Sequence, residues 1–279
     1  TFDRAKEGYV NLLLPNKKKS ADPGDSKAML QSRRAFLERG FYQPLADALH
    51  AQIQDHFPDE NVPLAILDTG CGEGYYLGQL AEKLGERSNL VGVDISRPAM
   101  QMTGKRYPTV QSAVASAYDI PLPDNSVDVV IRVFAPALDD EIARVLKPGG
   151  LYLWVYPGAK HLFALRALIY DKPEPHGVHM AVTAGLGLLV DRMEEVTYPI
   201  HLPDAEAVAG LLEMTPYYWS ASKEKQQYCL GLDKLDLEAD FRMVVGIKEG
   251  EFKPSMRSKT SEPGKVVPVE YAKPDEKNE

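Results

Sequence analysis

The stretch from Leu64 to Tyr76, L-A-I-L-D-T-G-C-G-E-G-Y-Y, constrains the fold more than any other. An apolar run bounded by Pro63 ends in Asp68 and breaks into glycines at 70, 72 and 74; helical periodicity then resumes at Tyr75. A short apolar run of this kind reads as a buried parallel strand. Strand, glycine turn and helix in that order make the first unit of a doubly wound α/β domain. Ligands of such sheets sit in the crevice beyond the carboxyl ends of the strands. Glycine lets the backbone turn sharply and approach a ligand where a Cβ would collide.

The spacing is G-x-G-x-G, not the G-x-G-x-x-G of dinucleotide folds, which argues against a nicotinamide enzyme. The next strand, Leu90 to Asp94, ends in an acid about twenty residues beyond the glycines, where a carboxylate can accept both hydroxyls of a ribose. Asp68 with the glycine loop, followed by Asp94, resembles the S-adenosylmethionine (SAM) site of class I methyltransferases. That resemblance implies cofactor contacts from Asp68, Gly70, Cys71, Gly72, Glu73, Gly74 and Asp94. It also implies that the loop leaving the third strand covers the adenine, with Ser116 and Ala117 beside it.

At 279 residues the chain has room for one large domain or a core with an attachment. No apolar run approaches the roughly 20 residues that span a bilayer, so no membrane partner is expected. There is no signal-peptide pattern. Cys71 and Cys229 can build neither a disulfide framework nor a cysteine metal site, and a reducing cytoplasm is the natural setting. The net charge of −8 argues against indiscriminate nucleic-acid binding. Residues 1–40, however, carry nine Lys and Arg against five acids. A basic arm on an acidic body suits a polyanion held at one place, although a solvated lysine loop would look the same.

Along the chain, the sequence predicts a helix from Ser26 to Arg39, capped by Asp25 and stopped by Gly40. A second helix is expected over Gln43 to His56, with Pro44 in its first turn. Later elements are a crossover helix Arg97 to Arg106, strands at Val110–Val114 and Asp128–Val133, and a helix Asp139 to Leu146 stopped by Pro148-Gly149-Gly150. A fifth strand, Leu151 to Tyr156, leads into a helix that ends near Tyr170. Beyond these come a strand Met193 to His201, a helix Ala205 to Met214, an aromatic loop through Trp219 and a strand Ala239 to Ile247. His176 and His179 read as loop histidines, because no third metal ligand lies nearby. Residues 1–57 are expected as a mainly helical basic extension, 58–250 as the SAM domain and 251–279 as a disordered tail.

Several motifs together carry a more specific resemblance: Phe2-Asp3, Lys6 to Leu13, Asp22 to Asp25, Arg33 to Leu37, Gly40 to Leu45, Gly70 to Tyr76, Phe134-Ala135-Pro136 and Met214 to Trp219. With these the chain resembles the RlmA-type 23S rRNA (guanine-N1)-methyltransferases over residues 1–247. The resemblance implies SAM-dependent methylation of N1 of one guanine in a hairpin loop of 23S rRNA. It also implies SAM contacts from Tyr42, the loop Gly70 to Glu73, and His161. The family's N-terminal zinc module ends just before the residues matching Phe2-Asp3, where this sequence starts. Zinc is therefore expected only if a Cys/His module precedes Thr1 in the full-length protein. The loop Glu73 to Tyr76 resembles the Gram-negative type.

Guanine N1 must lose its proton, so a base is expected; Asp139, Asp140 and Glu141 are candidates, although an acidic first turn is what a helix dipole favours in any case. A base in a hairpin must be unstacked, and aromatic faces receive it; Phe134, Tyr217 and Trp219 are the candidate platform. Lys17, Lys18, Lys19, Arg33 and Arg34 are the candidate phosphate contacts. A homodimer would present two basic arms to one RNA. The competing readings are a small-molecule methyltransferase of the quinone type and a non-catalytic SAM- or RNA-binding protein.

Overall fold

The computed structural model describes residues 3–13, 24–176 and 187–250. Its centre is β2 (Leu64–Thr69), a strand buried along nearly its whole length. β3 (Ser88–Asp94) pairs with it in parallel on one side and β5 (Val127–Val133) on the other. β4 (Gln111–Val114) lies beyond β3, and the two-residue β1 (Val10–Asn11) extends that edge. Beyond β5 come β6 (Leu146–Pro157), parallel, then β8 (Leu235–Lys248) and β7 (Leu188–Leu202), both antiparallel to their neighbours. The resulting order, β1-β4-β3-β2-β5-β6-β8-β7, reverses direction at β2. The crevice at the carboxyl ends of β2 and β5 is therefore the topological switch point, where open α/β sheets bind ligands.

Period-two alternation sends side chains of each central strand to two cores. Leu64 and Ile66 of β2 and Val129 and Ile131 of β5 join one core, which also holds residues from α2 (Gln43–His56), α3 (Tyr75–Leu84) and α4 (Arg97–Arg106). Leu67 and Val130 join the other, with Ile142, Ala143 and Val145 of α5 (Asp139–Val145). Helices thus cover both faces, as the near-continuous apolar strands require.

α1 (Lys27–Glu38) buries Leu30, Phe36 and Leu37 and packs on α7 (Ala205–Met214), where Gly210 would set a Cβ only 3.5 Å from that of Phe36. Burying the Phe36 ring is worth about 2–3 kcal/mol. Ser26, not Asp25, caps α1: its hydroxyl accepts from the Met29 amide. The Asp25 carboxylate instead pairs with Arg33.

Three other expectations change. The helix after Asp139 ends at Val145, before the Pro-Gly-Gly, because Leu146 already pairs with Val127 as the start of β6. The aromatic segment expected as a loop contains a short helix, α8 (Pro216–Ser220), with Pro216 at its first turn, where a missing amide costs nothing. A further helix, α9 (Lys223–Leu230), capped by Ser222, lies where no periodicity announced it. α6 (Phe163–Ile169) follows β6 as expected. No helix among the described residues is long and apolar enough to cross a membrane. Residues 251–279 and His179 lie outside the described residues.

Candidate active site

A cleft of about 1050 Å³ opens at the switch point. One end is polar and built from backbone turns. Gly70, with φ +79°, sits where a Cβ would come within 2.4 Å of the Ala135 Cβ, so the β2 and β5 loops touch there only because the residue is glycine. The amides of Gly70 and Cys71 both donate to the Val93 carbonyl, at 2.8 and 3.1 Å. Gly72 donates its amide to Asp94 Oδ2 at 3.0 Å, and Ser96 donates to Oδ1 at 2.8 Å.

Asp68, Glu73 and Asp94 all line this end; Asp68 and Glu73 are buried and Asp94 is partly buried. Burial pushes the Asp68 carboxyl well above the usual carboxylate range, and the neighbouring charges of Asp94 and Glu73 push it further. Burial also raises Glu73 and Asp94; Arg33 counters it at Glu73, and the two backbone amides counter it at Asp94. Among the described residues neither Asp68 oxygen has a hydrogen-bond partner, although the side chain is 1% exposed. A buried, unpaired carboxyl is costly unless a ligand completes it.

The other end is aromatic. Tyr42, at the start of α2, is buried edge-on between Phe36 and Phe241, and its hydroxyl lies 3.5 Å from His161 Nε2. His161 Nδ1 accepts the Asp240 amide at 3.2 Å, which leaves the proton of the neutral ring on Nε2. Burial drives the His161 pKa down to about 3. Phe134 ends β5 at φ +53°, a rare conformation for a non-glycine residue, and is 44% exposed into the cleft. Its ring lies 5.9 Å from that of His161. Tyr217, on α8, shares a 2.9 Å hydrogen bond with His176 Nε2, and both line the same wall.

The structure thus gathers Tyr42, Asp68, Gly70 to Glu73, Asp94, Ser116, Ala117, Phe134, His161 and Tyr217 around one cleft. Gly74 stands behind it as the left-handed cap of α3, where a Cβ would strike Thr103 at 2.8 Å. Arg33 also lines the cleft, whereas Arg34 pairs with Glu38 at 2.8 Å. Lys17, Lys18 and Lys19 lie outside the described residues, as does the side chain of Trp219.

The three α5 acids are not at the cleft. Asp139 pairs with Arg132, exposed Asp140 adjoins it, and Glu141 accepts the Ile120 amide and pairs with Arg144. Burial raises the Asp139 carboxyl, with Arg132 opposing. Sequence reasoning missed Tyr76, Ile95 and Trp154 as lining residues. Ile95 directly follows Asp94 and so carried a signal; Trp154 lies on β6, paired with Arg132 of β5, which sequence alone does not show.

This chemistry fits SAM. Asp94 suits a ribose diol, Asp68 offers an unpaired buried acceptor to an ammonium, and aromatic faces suit a sulfonium. Residues 66–150 match a family described as a methyltransferase domain. A Bacillus subtilis (strain 168) protein, YxjB, provisionally named a 23S rRNA (guanine-N1)-methyltransferase, is 30% identical over 254 residues, 89% of this chain and 88% of that one. The 23S rRNA (guanine(748)-N1)-methyltransferase of Streptomyces fradiae is 37% identical over 166 residues, 59% of this chain and 58% of its own length. A demethylmenaquinone methyltransferase of Bacillus licheniformis is 28% identical over 122 residues, 39% of this chain and 53% of its own. With the switch-point cleft, the glycine loop and a relative matched along nearly its whole length, the chain belongs to the 23S rRNA (guanine-N1)-methyltransferase family of SAM-dependent, class I enzymes.

Proposed function

We propose that this protein transfers a methyl group from SAM to N1 of a guanine in a hairpin loop of 23S rRNA. The observation that carries the reading is the division of the cleft: a polar cofactor end joined to an aromatic end that presents Phe134 to solvent. An unstacked base needs such a face, and stacking on it is worth about 1–3 kcal/mol. SAM supplies an already activated methyl on its sulfonium, so the protein's part is to orient the base and exclude water.

The proton on guanine N1 needs an acceptor near the aromatic end. Asp139 and Glu141 are occupied by Arg132 and Arg144. We assign the role to His176, whose ring is oriented by the Tyr217 hydroxyl on the cleft wall. His161, with its lowered pKa and its Nδ1 turned to the Asp240 amide, serves instead as a fixed neutral wall.

The quinone-type reading has a relative in its favour, but that match spans 39% of this chain against 89% for the Bacillus subtilis protein. The deciding experiment is transfer from labelled SAM to unmodified 23S rRNA, with the product mapped by primer extension. N1 methylation blocks Watson–Crick pairing, so one stop at a hairpin guanine is expected, and its position names the guanine. Transfer to a demethylated quinone with none to rRNA would overturn the proposal. SAM binding without transfer to either would favour the non-catalytic reading.

A further inference from the structure

We propose that Arg33, carried by the N-terminal helix α1, is the carboxylate clamp of the cofactor site, holding the methionine carboxylate of SAM over the Gly70–Glu73 loop. The argument begins with charge. SAM brings a sulfonium, an ammonium and a carboxylate. The polar end of the cleft is lined by Asp25, Asp68, Glu73 and Asp94, which suit the two cations and the ribose but repel the carboxylate. A carboxylate brought into such a place needs a guanidinium or ammonium beside it.

Among the described residues two guanidinium groups line the cleft, Arg33 and Arg132. Arg132 is already held through Nε, Nη1 and its planar face. Its Nε donates to the Ala135 carbonyl at 2.6 Å, its Nη1 meets Asp139 at 3.3 Å and the Tyr152 hydroxyl at 3.2 Å, and its plane lies over Trp154 at 4.6 Å. Arg33 is placed differently. Its Nη1 would lie 3.4 Å from a Cβ on Gly72, so the guanidinium sits directly above the bare backbone of the glycine loop. It is also close enough to hold down the raised pKa values of Glu73 and Asp94.

Arg33 pairs with Asp25 at 2.6 Å, and the two side chains are 27% and 36% exposed. A partly solvated pair of this kind is weak enough to be shared with a second carboxylate, and the planar fork of arginine can hold two. The pair is held in place from both sides. α1 is anchored through Leu30, Phe36 and Leu37, and the Asp25 carbonyl accepts from the Ser96 hydroxyl at 2.9 Å. Gly24 packs so closely on Ser96 that a Cβ would approach to 2.9 Å. The N-terminal segment therefore closes the cofactor site rather than serving only the RNA, and Arg33 leaves the set of phosphate contacts that its charge first suggested.

The test compares two ligands that differ by one group: S-adenosylhomocysteine and S-adenosyl-3-thiopropylamine, the same molecule without its carboxylate. Calorimetric titration of the wild type should show tighter binding of the first; binding of neither would refute the SAM site itself, and the clamp with it. Arg33→Gln should weaken S-adenosylhomocysteine tenfold or more and leave the amine within about twofold. Arg33→Lys, which keeps the charge and loses the fork, should fall between. Equal losses for both ligands would make Arg33 a residue that shapes the cleft, and the clamp would be wrong. Unchanged binding of both, with weaker binding of an rRNA hairpin, would return Arg33 to the phosphates and overturn the proposal. Melting curves with and without ligand verify that each variant is folded.

Discussion

The Gly72 amide donates to Asp94 Oδ2 at 3.0 Å, so the turn after β2 is tied to the acid that ends β3. Ser96 holds the other oxygen at 2.8 Å, which fixes the carboxylate plane while each oxygen keeps a lone pair for the cleft. Asp94→Asn should break this arrangement, since an amide nitrogen would face one of two N–H donors and could accept from neither. A loss of tenfold or more in S-adenosylhomocysteine affinity is expected by calorimetry; an unchanged Kd would remove Asp94 from ribose recognition.

Asp68 makes the opposite trade. Its folded pKa is raised, so the folded protein holds this proton more tightly than the unfolded chain, and the site costs stability once pH exceeds the ordinary carboxylate range. Asp68→Asn should raise the melting temperature of the ligand-free protein at pH 7.5, and the gain should vanish near pH 4, where the wild-type carboxyl is also protonated. The same variant should bind S-adenosylhomocysteine at least tenfold more weakly, because the ammonium loses its acceptor. A stabler protein with unchanged affinity would show that Asp68 faces no ligand.

The polar half of this site was legible in the sequence because its residues belong to two short strand-to-helix turns. The glycines at 70 and 72 and the acids at 68 and 94 are fixed by local geometry, and the cleft contains all four. The aromatic half depends on contacts far apart in the chain: Tyr42 with His161, and His176 with Tyr217. For Tyr42 and His161 only the family resemblance pointed to the site. The α5 acids misled because a helix first turn favours carboxylates whatever their use, and only side-chain geometry shows Arg132 and Arg144 holding two of them.

His161 gives the fold a defined acid limb. Burial pushes the ring down to about 3, against about 6.5 for an unfolded histidine. Between those values the unfolded chain binds a proton that the folded chain excludes. Stability from the neutral ring is therefore complete above about pH 6.5 and is lost as pH falls toward 3, at up to about 1.4 kcal/mol per unit. From pH 6.5 to 5 the wild type should lose about 2 kcal/mol more than His161→Asn, whose carbonyl can still accept the Asp240 amide. Parallel urea curves for the two proteins would refute the assignment.

If His176 takes the N1 proton, His176→Gln should lower the single-turnover rate of methyl transfer by about a hundredfold, within the usual range for a general base. S-adenosylhomocysteine binding should stay as in the wild type. Tyr217→Phe removes the hydrogen bond that orients the ring and should cost less. A His176→Gln enzyme that keeps the wild-type single-turnover rate would assign the proton to another group.

Phe134 combines a positive φ with a half-exposed ring, and both bear on the substrate side. A non-glycine residue held in the left-handed region costs about 1 kcal/mol and persists where the surroundings or the function demand it. Here the amide is held by the Val155 carbonyl at 3.1 Å, while the ring rests against Phe241 at 5.6 Å and still shows 44% of its surface. Phe134→Gly relieves the backbone and forfeits the ring packing, so stability should change by no more than about 1 kcal/mol either way. If the exposed face stacks the unpaired guanine, the same variant should lose tenfold or more in methyl transfer to rRNA, since one base–aromatic contact is worth about 1–3 kcal/mol. Phe134→Tyr should restore most of that activity, and both variants should bind S-adenosylhomocysteine like the wild type. A Phe134→Gly enzyme with full activity on rRNA would mean that the base is received elsewhere on the cleft wall, with Tyr217 the remaining described face of the expected platform.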